Sequence, residues 1–469
     1  MRVPFLGGSG TQRSVTVDAQ RTVNLYPVLT QDGKSPLALY GTPGLTRFAE
    51  TVAAAGRGLY VAAGRLFAVV GSTLYEITSA GVATSRGTLS PASTSGPVSM
   101  ADNGTVLVVV DGTYGYQLTL ATNVFAQITD ADWPAATHVA FHDGYFVLNR
   151  SGTGQFVITD LYGTGVDPLD FATAEGAPDD TVALLVDHRE LWLFGEETTE
   201  VWYNAGASDF PFARLDGAFI EQGCVAPFSP AKMDNAVYWL SRDRTGHGHV
   251  MRAQGYQPQI VSTRAVEHAI QGYGTISDAR GYTYQQEGHS FYVLTFPTAN
   301  RTWVYDAATQ LWHERSYWSA GEHRHRGECY AFAFGKHLVL DHSNGRIYEL
   351  DLDVYTDDGA TLRALRRTQH QSAEGRRLFW SSLQVDMEPG VGLASGQGSD
   401  PQVMLRWSDD GGHTWSSEHW RSMGRLGQYR TRAIWRRLGQ SRDRVYELAI
   451  TDPVKRVIVD AWADVEAQP

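Results

Sequence analysis

Cysteine is scarce and lysine almost missing. Cys224 and Cys329 are the only cysteines and lie 105 residues apart, too few for a disulfide framework and without the paired spacing of a zinc site. Reduced thiols are the expectation. Four of the 39 basic residues are lysine, so the cations are guanidinium forks, suited to bidentate pairing with carboxylate or phosphate. Charged residues stop at 19%, below the usual about one quarter. Long hydrophobic runs are also lacking: Val106 to Val110 is the longest aliphatic stretch, far short of a membrane span, and Met1 to Gly8 lacks the apolar core of a secretory signal. The expectation is a protein made and kept in the cytosol. Helix signals are confined to Asp179–Leu185 and Thr263–Gln271. No P-loop, nucleophile elbow, HExxH or dinucleotide fingerprint occurs, so no catalytic residue, cofactor or metal is assigned.

What is present points to strands. The 469 residues include 48 Gly, 13 Trp and 22 Tyr, with aromatics at 11%, a composition of short strands and tight turns. Apolar bursts recur after turn signals: Leu66–Val70, Val106–Val110, Tyr145–Leu148, Leu191–Phe194, Val237–Leu240, Phe291–Leu294 and His337–Leu340. Anchors at Val69, Val108, Val147, Leu193, Trp239, Val293 and Val339 are spaced 39, 39, 46, 46, 54 and 46 residues apart, the lengths of propeller blades. Each burst is followed by a second strand-like piece, with turns at Asn103-Gly104, Asp143-Gly144 and Asn344-Gly345 where positive φ is cheap. Runs without alternation suit strands covered on both faces. The fold class expected is all-β: a β-propeller of about seven blades, with six to eight allowed, over residues 56–352. Residues 353–469 form an additional β-domain with strands at Leu378–Met387, Val403–Trp407, Ile434–Leu438, Val445–Ile450 and Val457–Ala461, and residues 1–55 pack on it. A pair of sandwich domains is the competing architecture.

Net charge is −12, which argues against a whole-protein grip on nucleic acid or an anionic membrane. Residues 421–456 reverse the balance, with 10 Lys+Arg against 3 Asp+Glu. Within them, Arg430, Arg432 and Arg436 would project from one face of a strand that includes Trp435 and Arg437. Carboxylates of a protein neighbour suit that face better than phosphates, and a charge-protected edge strand is the plainer reading. Ser408-Asp409-Asp410-Gly411-Gly412-His413-Thr414-Trp415 matches the Asp-box pattern, in which Ser408, Asp410, Gly412 and Trp415 make a structural turn. His313, His323 and His325, or His247 with His249, could offer imidazoles to a metal, but interleaved Arg324 and Arg326 favour a solvated or interface loop.

Arg21-Thr22-Val23-Asn24-Leu25-Tyr26-Pro27, Gly41-Thr42-Pro43-Gly44-Leu45, Gly144-Tyr145-Phe146, Phe156 to Leu161, Glu200 to Asn204 and Arg432-x-x-Trp435-Arg436-Arg437-Leu438-Gly439 occur in that order. In this the chain resembles the tail nozzle proteins of short-tailed bacteriophages, also called packaged-DNA stabilisation or head-completion proteins. The resemblance implies a structural virion protein, not an enzyme: a homo-oligomeric ring, six copies in expectation, attached below the portal and its adaptor. It would carry the tail needle, spikes or fibres further out and would close the head around packaged DNA that later leaves through its lumen. It also implies a location in the virion tail after assembly in the host cytoplasm. Asn24, Tyr26, Pro27, Arg430, Arg432, Trp435, Arg436 and Arg437 are then the candidate partner interface. A glycan-binding or polysaccharide-degrading tail propeller is the alternative.

Overall fold

The computed structural model describes residues 1–30, 33–90 and 95–467. Its body is a ring of seven four-stranded antiparallel blades, five of them separate sheets and the sixth and seventh parts of larger sheets. The first, Gly56–Ala62, Arg65–Val70, Thr73–Ile77 and Ala83–Thr88, sets the pattern for the next five. Each apolar burst is the second strand of its blade and is sandwiched between the neighbouring blades. Leu66 to Val70, Leu107 to Val110 and Leu338 to Leu340 are completely buried, which is why those strands read as continuous apolar runs. Innermost strands touch at six of the seven junctions, including Gly327–Ala333 of the last blade with Gly56–Ala62 of the first, and blades four and five share a core, so the ring is closed.

The seventh blade takes Gly327–Ala333, Lys336–Asp341 and Arg346–Asp351 from late in the chain and Gly44–Glu50 from its beginning. The expectation left residues 1–55 wholly outside the propeller; Gly44–Glu50 corrects this, because that strand exposes Thr46, Arg47 and Glu50 and lacks the apolar run that marks the repeat. Arg346 pairs with Glu50 at 3.0 Å and with Asp358 at 3.1 Å, and Arg47 with Asp358 at 2.8 Å, along this closing seam.

Of the two expected helices, one forms. Arg264–Gln271 is helical, with the Thr263 hydroxyl accepting from the Val266 N–H as its N-cap. Asp179–Leu185 is not helical: Thr181–Asp187 is the innermost strand of the fourth blade, paired with Glu190–Gly195. Local propensity there is overridden by ladder pairing and burial.

The second unit is a β-sandwich built from both chain ends. One sheet runs Arg21–Val23, Ala364–Arg367, Asp443–Ile450, Gln402–Ser408, His419–Ser422; the other runs Leu25–Leu29, Leu37–Gly41, Val457–Ala467, Leu378–Met387, Ala433–Arg436. Val3, Phe5, Leu25 and Leu39 share a core with Trp380, Leu405, Trp435 and Ile458. The first sheet is continuous with the sixth blade, because Arg21–Val23 also pairs with its outer strand Leu311–Glu314.

Candidate docking edge and domain junction

The Arg21 to Pro27 segment is the joint between propeller and sandwich. Arg21 reaches Glu314 with Nε at 3.0 Å and Nη2 at 2.6 Å, and Glu322 at 2.8 Å, while Arg363 of the sandwich meets the same Glu322 at 3.2 Å. Burial works against the Glu314 carboxylate, but the Arg21 charge and hydrogen bonds from Arg21 and Ser9 hold its pKa below the usual carboxylate range. Asn24, at φ 53°, donates through its amide to the Ser316 carbonyl at 3.0 Å and the Arg363 carbonyl at 2.8 Å, and accepts from the Ser316 N–H at 3.0 Å. Left-handed backbone is tolerated by asparagine better than by most residues. One side chain thus joins the two units.

Tyr26 is buried with its ring edge-on to His289 at 5.2 Å and Phe291 at 5.6 Å. It lines an interdomain cavity of about 330 Å³ with Tyr40, Tyr355 and Arg456. Pro27 is buried on the outermost strand of the second sheet, opposite Leu39, where its missing N–H costs no ladder bond. Asn24, Tyr26 and Pro27 are therefore internal couplings, a correction to their expected place on a partner interface.

The Asp-box pattern folds as a turn. Asp410 accepts from the His413 N–H at 3.0 Å, the Thr414 N–H at 2.8 Å, the Thr414 hydroxyl at 2.6 Å and the Ser408 hydroxyl at 2.7 Å, and the Gly412 N–H donates to Ser408 Oγ at 2.7 Å. Those bonds, the Thr414 hydroxyl first, hold its pKa far below the usual carboxylate value. Trp415 lies between the guanidinium groups of Arg367 at 4.7 Å and Arg406 at 4.9 Å, both of which pair with buried Glu447. The Ser408, Asp410 and Thr414 side chains of the turn are thus committed to its own scaffold.

The basic segment departs from the expected strand. Only Ala433–Arg436 is a strand; Arg430 sits in a turn and Arg432 precedes the strand, so the three arginines do not alternate along one face. Trp435 is buried in the sandwich core, its indole N–H donating to the His419 carbonyl at 2.7 Å. What survives is an edge: Arg430, Arg432, Arg436 and Arg437 are exposed, and none of their side chains makes an ion pair among the described residues. His419–Ser422 and Ala433–Arg436 end the two sheets side by side, farthest from the strands that join the propeller. Arg377 and the exposed Trp420, Leu426 and Tyr429 extend this edge; Tyr429 belongs to the basic stretch read from the sequence, whereas Arg377 lies outside it and is brought there by long-range pairing of Leu378 with Ser441.

The histidines diverge. His313 is buried with neither ring nitrogen bonded, and its pKa is driven well below normal by burial. His323 bonds Asn300 and the Ser319 carbonyl, while His325 lies against Gly327. No cluster of three potential metal ligands occurs among the described residues. At the propeller axis, inner strands of all seven blades surround a cavity of about 330 Å³, and His138 packs on Phe228 with ring centroids 4.4 Å apart.

Solved structures that resemble the fold include the N-terminal domain of Nup159, at 9% identity, TM-score 0.41, covering 71% of this chain and 98% of that one. YCF48 bound to D1 peptide is similar at 11% identity and TM-score 0.42, covering 66% and 98%. No curated protein matches the sequence. Two family models do: bacteriophage P22 Gp10, beta-propeller, matches residues 1–355, and bacteriophage P22 Gp10, beta-sandwich, matches residues 363–466. With both of its units matched in order, the chain belongs to the bacteriophage P22 Gp10 family, structural proteins of the phage tail nozzle.

Proposed function

We propose that the protein works as a ring of six copies below the portal adaptor, closing the filled head and bounding the path by which DNA leaves. The observation that supports a multi-copy channel is the propeller axis. Its cavity of about 330 Å³ is in the range that holds a small ligand, roughly 300–1,000 Å³. A duplex, whose major groove alone is about 12 Å wide, does not pass there. This supports a path for DNA through a lumen enclosed by several copies.

A net charge of −12 suits a protein past which DNA slides, because an excess of carboxylates repels phosphate and gives no grip on it. Retention then falls to a closed gate or plug further out, such as a tail needle, with spikes or fibres attached beside it. The sandwich, whose arginine edge carries guanidinium groups without an ion pair among the described residues, serves assembly by pairing with carboxylates of a protein neighbour. The protein performs no turnover in this reading and carries no cofactor. Electron microscopy of the purified full-length protein, alone and mixed with adaptor rings, tests it: six-fold rings with a lumen wider than a duplex are expected. A protein that stays monomeric in both preparations would overturn it.

A further inference from the structure

We infer that the arginine edge of one copy docks on the acidic rim of blades three and four of the next copy, joining copies head to tail. This rests on the ring reading above and names the neighbour within it.

The charge of the chain is concentrated. Residues 130–221, which hold blades three and four, contain 17 Asp+Glu against 3 Lys+Arg; the rest of the chain contains 34 against 36. The entire net negative charge therefore sits on one sector of the propeller. Asp160, Asp167, Glu175, Asp180, Asp209 and Asp216 are exposed there, and none makes an ion pair among the described residues. Asp170 has its pKa raised by burial and then by the charges of Asp167 and Asp160, so neighbouring carboxylates repel one another without a cation to offset them.

The same sector exposes apolar side chains. Tyr162 is 65% and Leu169 81% exposed, with Leu161 and Phe219 also uncovered. The arginine edge has its counterpart in Tyr429 at 72% and Trp420 at 54%. Aromatics with arginines on one side and aromatics with carboxylates on the other have the composition of an interface core and its complementary charge.

Position makes the pairing intermolecular. The sandwich is joined to the sixth blade through Arg21–Val23 and to the seventh through Tyr26, Leu45 and Tyr348, which share one core. In a closed ring of seven, the third blade lies across the axis from the gap between the sixth and seventh. The arginine edge is the end of the sandwich remote from that junction. Among the described residues no ion pair links the arginine edge to blades three and four within one copy, so both surfaces are open to a neighbour. A repeated head-to-tail contact of this kind is heterologous and closes into a ring when its rotation permits.

Two full-length variants test the pairing. The edge variant carries Arg430→Glu, Arg432→Glu and Arg436→Glu; the rim variant carries Asp160→Lys, Asp167→Lys and Glu175→Lys. Circular dichroism checks that each is folded, and native mass spectrometry with light scattering reads assembly under conditions where the unaltered protein forms rings. Each variant alone is expected to self-associate about 100-fold more weakly, since like charges then face one another. An equimolar mixture should recover rings of alternating composition, because each reversed surface meets its complement. Ring formation by either variant alone, or failure of the mixture, refutes the pairing while leaving the ring intact as a reading. An edge variant that forms rings yet no longer binds the adaptor reassigns the edge to the adaptor. Failure of the unaltered protein to form rings, with or without adaptor, refutes the ring itself.

Discussion

At the scale of single residues, the chain uses a few polar side chains to fix the sandwich on the propeller. Asn24 combines left-handed backbone with three buried hydrogen bonds to Ser316 and Arg363. Asn24→Ala should lower stability by roughly 2–4 kcal/mol, from unsatisfied buried groups and an unfavourable φ together. Asn24→Gly, which relieves only the backbone, should recover part of that loss; urea titration of both variants measures it, and equal values for the two would contradict the role of φ. Arg366 acts similarly, donating to the carbonyls of Phe5 and Gly8 and to Gln20 and Thr22, and burial brings its pKa down to about 9. The Asp-box turn was legible in the sequence because Ser408, Asp410 and Thr414 bond within a few residues of one another. Asn24 was not, since its partners lie 292 and 339 residues away and a local pattern carries no trace of them.

Among elements, the joint between the sixth blade and the sandwich depends on the Arg21–Glu314–Glu322 network. Glu314→Gln leaves Arg21 only Glu322 and should cost about 3 kcal/mol, the low end for a broken buried pair. The folded pKa of Glu314 lies below its unfolded value near 4.5, so its contribution is complete above pH 4.5 and is lost as pH falls through the lower folded value. Denaturant midpoints of the variant and the unaltered protein should therefore differ at pH 7 and converge toward pH 3. The second strand of each blade was legible because burial on both faces writes an uninterrupted apolar run. Outer strands such as Gly44–Glu50 and Phe171–Thr173 are partly exposed or too short to stand out. The arginine edge was half legible: its charge could be counted, whereas the burial of Trp435 and the turn at Arg430 depend on how the sheets end.

For the molecule as a whole, several imidazoles are folded away as neutral groups. Burial lowers His138 and His342 to about 4 and His325 to about 3. Unfolded histidine takes up a proton near pH 6.5 while these do not, so stability is full above that pH and falls as pH drops from about 6.5 toward 4. The thermal midpoint should decline over that interval, and His138→Gln should make the decline shallower. An unchanged slope in the variant would remove His138 from the account.

The seam of the seventh blade has a consequence for synthesis. Gly44–Glu50 waits for Arg346–Asp351, and the sandwich waits for strands as late as Val457–Ala467 to cover Leu37–Gly41. Contacts of such sequence separation form slowly and late. The propeller cannot close before Arg346–Asp351 is made, nor the sandwich before Val457–Ala467. A translation product that stops before Arg346–Asp351 has an open ring of blades, and one that stops before Val457–Ala467 leaves Leu37–Gly41 and Leu378–Met387 without the strand between them, so topology itself marks a truncated chain by the edges it leaves bare.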